Sequence, residues 1–65
     1  MKILVNGVWR DTCCADLACV LQELDYGESV VATAVNGVFV PVGSRASVRL
    51  VEGDRLEVVA PMQGG

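Results

Sequence analysis

Two Asn-Gly pairs, Asn6-Gly7 and Asn36-Gly37, each sit between short β-rich runs. A two-residue hairpin loop of type I′ needs φ > 0 at both central positions. Asparagine tolerates that conformation, and glycine has no Cβ to oppose it. Each pair therefore predicts a tight antiparallel hairpin. In the first, Lys2 to Asn6 returns as Val8 to Asp11. Alternation places Ile3 and Val5 on one face and Lys2, Leu4 and Asn6 on the other. In the second, Val30 to Val35 returns as Val38 to Val40, and Pro41 stops the strand because it has no N–H for the ladder. Both faces of Val30–Val35 are apolar or small, so its inward face stays open at this level.

Between the hairpins, Leu17, Val20, Leu21 and Leu24 recur at i, i+3, i+4 and i+7. That spacing predicts an amphipathic helix over Ala15–Leu24 with one buried stripe. Thr12 is the expected cap, with Asp11 and Cys13 as weaker candidates, Asp16 suits the positive end of the helix dipole, and Gly27 is the expected stop. On a helical wheel Cys13 and Cys14 fall towards the buried stripe if the helix reaches that far, and Cys19 faces solvent as the thiol expected to react. Val42 to Leu50 reads as a loop or one short helical turn. Glu52-Gly53-Asp54 is a turn, and Arg55 to Ala60 is a final strand with Leu56, Val58 and Ala60 on one face. Hairpin, helix, hairpin, connector and strand make an α+β domain: a mixed sheet of four to five strands with one helix on one face. The uncovered face keeps apolar residues, with Leu4 and Val59 as candidates for docking a partner.

Composition narrows the function. Sixty-five residues make one small domain without room for a cleft beside a core. The chain has no run approaching the ~20 apolar residues of a membrane span, and no leader is expected. A net charge of −3 argues against nucleic acid. There is no histidine, the commonest general base and metal ligand. The three cysteines do not suit a disulfide framework or a four-ligand zinc site, so reduced thiols and no metal are expected.

The chain then ends as Pro61-Met62-Gln63-Gly64-Gly65. Proline ends the last strand, and the glycines carry no side chain to pack. The expectation is a folded body over residues 1–60 and a flexible tail over 61–65. Five extended residues reach about 16–18 Å.

These features together resemble the ThiS-type sulfur carriers of thiamine biosynthesis, which have a ubiquitin-like β-grasp fold. Met1 to Gly7 matches the family's opening strand and turn. Val35-Asn36-Gly37 with Val40-Pro41 matches its middle hairpin, and Glu52 to Val58 its last turn and strand. Pro61-Met62-Gln63-Gly64-Gly65 resembles its tail. Val42, Ala46, Ser47 and the Cys13-Cys14 pair depart from the usual pattern.

The resemblance implies that the first and last strands are adjacent and parallel. It implies a cytoplasmic monomer that is not an enzyme and binds no cofactor. An E1-like adenylating enzyme of the ThiF type would use ATP to activate the Gly65 carboxylate. A sulfur donor such as a cysteine desulfurase would convert it to a thiocarboxylate, a C-terminal 1-thioglycine. A ThiG-type thiazole synthase would accept the sulfur. Gly64, Gln63 and Met62 would give access to the partner's slot. The alternatives are a MoaD-type carrier for molybdenum cofactor synthesis, a ubiquitin-like protein modifier, and a β-grasp binding module.

Overall fold

Residues 1–27 and 29–60 are described in a computed structural model of the chain. Both Asn-Gly pairs make the expected turns. β1 (Lys2–Val5) returns as β2 (Val8–Asp11), and β3 (Ala32–Val35) returns as β4 (Val38–Val40). φ is +49° and +83° at Asn6 and Gly7, and +50° and +82° at Asn36 and Gly37. Val5 closes on Val8 and Val35 on Val38. β5 (Arg55–Val59) enters between the hairpins and gives the order β2-β1-β5-β3-β4. It runs parallel to β1 and antiparallel to β3, so the first and last strands are parallel neighbours.

α1 (Leu17–Glu23) covers one face of this sheet. Its Leu17, Val20 and Leu21 are buried with Ile3 and Val5 of β1 and Leu56 and Val58 of β5. The periodicity therefore identifies the stripe correctly, although Leu24 is only partly buried at its edge. Ala60 lies beyond the end of β5 and is exposed, unlike the Leu56 and Val58 with which alternation groups it.

The inward face of β3 is settled by a polar residue. Thr33 is 1% exposed. Its hydroxyl donates to the Val40 carbonyl oxygen at 3.0 Å and accepts from Arg45 Nε at 3.3 Å. A buried hydroxyl without partners would cost about 1–3 kcal/mol. Arg45 belongs to a 3₁₀ segment, Val42–Ser47, and its Nη2 also donates to the Val31 carbonyl oxygen at 2.6 Å. The stretch expected to be a loop or one helical turn is thus a 3₁₀ helix docked on β3 by one guanidinium group.

The helix starts later than expected. Asp16, not Thr12, is its N-cap, with Oδ1 accepting from the Cys19 amide at 2.8 Å. The cause is a tertiary ladder. Leu17 donates its amide to Val48 at 3.0 Å, Leu50 donates to Ala15 at 2.8 Å, and Asp16 bridges Arg49. Those bonds hold the preceding residues extended. Thr12 is instead buried; its hydroxyl donates to the Glu23 carboxylate and accepts from the Cys14 amide. The stop also moves. Asp25 takes φ +68°, Tyr26 donates to Leu21 at 2.8 Å and Asp25 to Gln22 at 3.1 Å. This is a Schellman ending with Asp25 in the left-handed position, and Gly27 lies beyond it.

The later start redirects the cysteines. Cys14 turns back over the first turn of α1 and forms a disulfide with Cys19, with Cα atoms 5.6 Å apart. That separation suits a disulfide. Cys13 is the exposed free thiol. The expectation of three reduced cysteines, with Cys13 and Cys14 both core-facing and Cys19 reactive, is corrected on each point except the partial burial of Cys14.

Candidate functional site

Among the expected site residues, Met62, Gln63, Gly64 and Gly65 lie outside the described residues, as does the division between body and tail at residue 61. What is described is the strand that leads to them. β5 is the middle strand of the sheet. On the β1 side, Leu4 donates its amide to Asp54 and Asn6 to Leu56, both at 2.9 Å. Where β1 ends, the Asn6 side chain replaces it. Asn6 Nδ2 donates to the Val58 carbonyl oxygen at 3.0 Å, and the Val58 amide donates to Asn6 Oδ1 at 2.9 Å. On the β3 side, Ala32 pairs with Val59, so β5 is paired up to its last residue.

Leu4 and Val59, the two docking candidates, are on the uncovered face. The parallel register places Leu4 beside Arg55, and β5 alternates from Arg55 through Glu57 to Val59 on that face. Leu4 is partly buried, and Val59 is 60% exposed. Val59 also lines a shallow apolar depression of about 260 Å³ with Val30, Val31 and Ala32.

Two larger side chains join this face. Trp9 lies opposite Leu4 across β1–β2, and Phe39 lies opposite Ala34 across β3–β4. They are 58% and 65% exposed. The uncovered face therefore carries one aromatic on each outer strand, with Arg55 and Glu57 between them on the middle strand. The sequence contained the signal. In a two-residue hairpin the second residue after glycine shares a face with the residue two before asparagine. Applied at Gly7 and Gly37, that count adds Trp9 and Phe39.

No set of three or more His, Cys, Asp or Glu is placed to hold a metal among the described residues. No helix among them is long and apolar enough to cross a membrane. The described residues present a firmly held strand beside an amphipathic sheet face.

A five-stranded mixed sheet with a parallel central pair and one α-helix on one face is the ubiquitin-like β-grasp. Within that class, the ThiS family model matches residues 3–65, and the chain belongs to the ThiS family. A crystal structure of a thiamine biosynthesis protein (ThiS) from Geobacter metallireducens is similar, with a TM-score of 0.83 and 23% identity over 100% of both chains. No curated protein matches the chain. Family membership supports a sulfur carrier of thiamine biosynthesis that works with sulfur-transfer enzymes.

Proposed function

We propose that this protein is a sulfur carrier whose Gly65 carboxylate is adenylated and converted to a thiocarboxylate that donates sulfur to the thiazole of thiamine. The observation that carries the reading is the family match through Gly65, which includes the Gly-Gly end as well as the sheet. Residues 1–60 form the body in this reading, and 61–65 form the arm that enters the partner's slot.

The chemistry needs a partner. An α-carboxyl has a pKa near 3.3–3.7, so at neutral pH it is an anion and a poor electrophile. An E1-like enzyme of the ThiF type makes it reactive. The carboxylate attacks the α-phosphate of ATP, pyrophosphate leaves, and an acyl-adenylate forms. The terminal sulfur of a donor persulfide, from a cysteine desulfurase or another donor, then displaces AMP to give an acyl disulfide. A thiol attacks the donor's sulfur, releasing the thiocarboxylate and leaving the thiol and the donor joined as a disulfide. Gly64 and Gly65 let the backbone approach the nucleotide without a Cβ in the way, and Met62 and Gln63 span the distance from the body. A ThiG-type synthase takes the sulfur. The carrier is a cytoplasmic monomer with no resident cofactor, and its Gly65 becomes 1-thioglycine.

The test is intact mass after incubation with the adenylating enzyme, ATP and a sulfur source. The expected result is a gain equal to one oxygen exchanged for sulfur, localised to Gly65. No gain, or sulfur found only on a cysteine, overturns the reading. Sulfur passing to a pterin instead would identify the MoaD-type role. An isopeptide product would identify a modifier.

A further inference from the structure

The three cysteines stand apart from this chemistry in space. The register pairs Asp11 with Lys2, and Thr12 donates its amide to Met1 at 2.9 Å. Cys13 and Cys14 therefore follow at the Met1 end of β1. β5 runs parallel to β1 and finishes beyond its other end, where Asn6 holds Val58. The cysteine cluster and the end of β5 lie at opposite ends of the sheet.

Cys14 and Cys19 join the segment before α1 to the first turn of α1. That segment is also tied to the last turn, through the Thr12 hydroxyl and Glu23. α1 has seven residues, and a helix that short is not stable alone. Its place over the core depends on packing and on ties of this kind. The two sulfurs differ in setting. Cys19 is exposed, and Cys14 is half-buried against the core.

We propose that Cys14 and Cys19 form a redox-responsive clasp that couples the stability of α1 to the thiol–disulfide state of its surroundings. A thiolate of an external dithiol attacks the exposed Cys19 sulfur. The Cys14–Cys19 bond breaks, and Cys14 leaves as a thiolate and takes up a proton. The second thiol of the dithiol then attacks its own sulfur in the mixed disulfide and releases Cys19. The dithiol ends as a disulfide, having given two electrons to the protein. Closing is the reverse, with the disulfide form of the same couple as oxidant. Cys13 is a spectator thiol, free in both states, and labelling of Cys14 and Cys19 reports the state.

The test is a titration of the full chain in mixtures of reduced and oxidised dithiothreitol, quenched by alkylation. Intact mass and peptide mapping read the result. The closed form should carry one label, on Cys13, and the open form three. Opening should lower Tm by roughly 5–15 °C, as expected for a short closed loop in a small domain. It should also speed amide exchange at Val20 and Leu21. Cys14→Ser with Cys19→Ser should match the open form and ignore the couple. If that variant does not fold, the titration of the parent chain still decides. A bond that includes Cys13, full labelling under oxidising conditions, or equal Tm in both states overturns the proposal. None of these outcomes depends on the carrier reading, which is tested at Gly65.

Discussion

Asn6 and Val58 exchange two hydrogen bonds across 52 residues of sequence, with the side-chain amide of one acting as the backbone of a missing strand residue. Asn36 does similar work on the other flank. Its Oδ1 accepts from the Arg55 amide at 3.0 Å, and its Nδ2 donates to Asp54 Oδ1 at 2.9 Å. Each asparagine therefore serves both a positive-φ turn and the attachment of β5. Asn6→Gly should keep the turn and lose only the attachment, and Asn6→Ala should lose both. We expect the alanine variant to be destabilised by about 2–3 kcal/mol and the glycine variant by about 1–2 kcal/mol, measured by urea unfolding. Equal stability of both variants with the parent would show that Asn6 does not hold β5.

Asp25 carries φ +68° at the end of α1. Aspartate visits that region at a cost that glycine does not bear. Asp25→Gly should stabilise the domain by about 0.5–1 kcal/mol, seen as a Tm rise of a few degrees. A fall in Tm would mean that the Asp25 side chain makes a contact worth more than the backbone relief.

The uncovered face should be where the adenylating enzyme docks. Trp9→Ala and Phe39→Ala should each weaken binding about tenfold or more, since exposed aromatics dominate such interfaces. Leu4→Asp and Val59→Asp should also weaken it. Circular dichroism should be unchanged for the Trp9, Phe39 and Val59 variants, whose side chains lie well exposed. Binding by isothermal calorimetry at parental affinity in all four would place the interface elsewhere.

In the carrier reading, Gly64→Val adds a branched side chain beside the Gly65 carboxylate and restricts φ and ψ. It should abolish ATP–pyrophosphate exchange with the adenylating enzyme and leave the thermal unfolding curve unchanged. An alanine added after Gly65 should do the same by displacing the carboxylate from the α-phosphate. Normal exchange by both variants would remove the terminus from the chemistry.

Local rules carried the sheet a long way. The Asn-Gly pairs predict both hairpins, and the Leu17-Val20-Leu21 spacing predicts the buried helix face. Where long-range contacts decide, the same rules fail. Nothing near Thr12 in sequence says that Val48 and Leu50 will hold residues 15–16 extended and move the cap to Asp16. The cysteine assignments fail with the helix start, because one turn of register decides which sulfurs meet. Thr33 is unreadable for a related reason: one partner of its buried hydroxyl is Arg45, twelve residues away and in the least regular part of the chain. The docking face was half legible. Leu4 and Val59 follow from alternation within one strand, but Trp9 and Phe39 require the count to be carried through a turn.

A strand held on both flanks along its length behaves in a particular way under force. Traction applied beyond Val59 along the axis of β5 would load its ladders with β1 and β3 in shear, so that many bonds must fail together. A hairpin end would unzip one bond at a time. In an optical trap, pulling from the last residues should therefore need a higher rupture force than pulling β2 away from β1, and equal forces would contradict this reading. A carrier gripped by its end and then withdrawn from one enzyme to the next would come away whole, with the grip giving way before the strand.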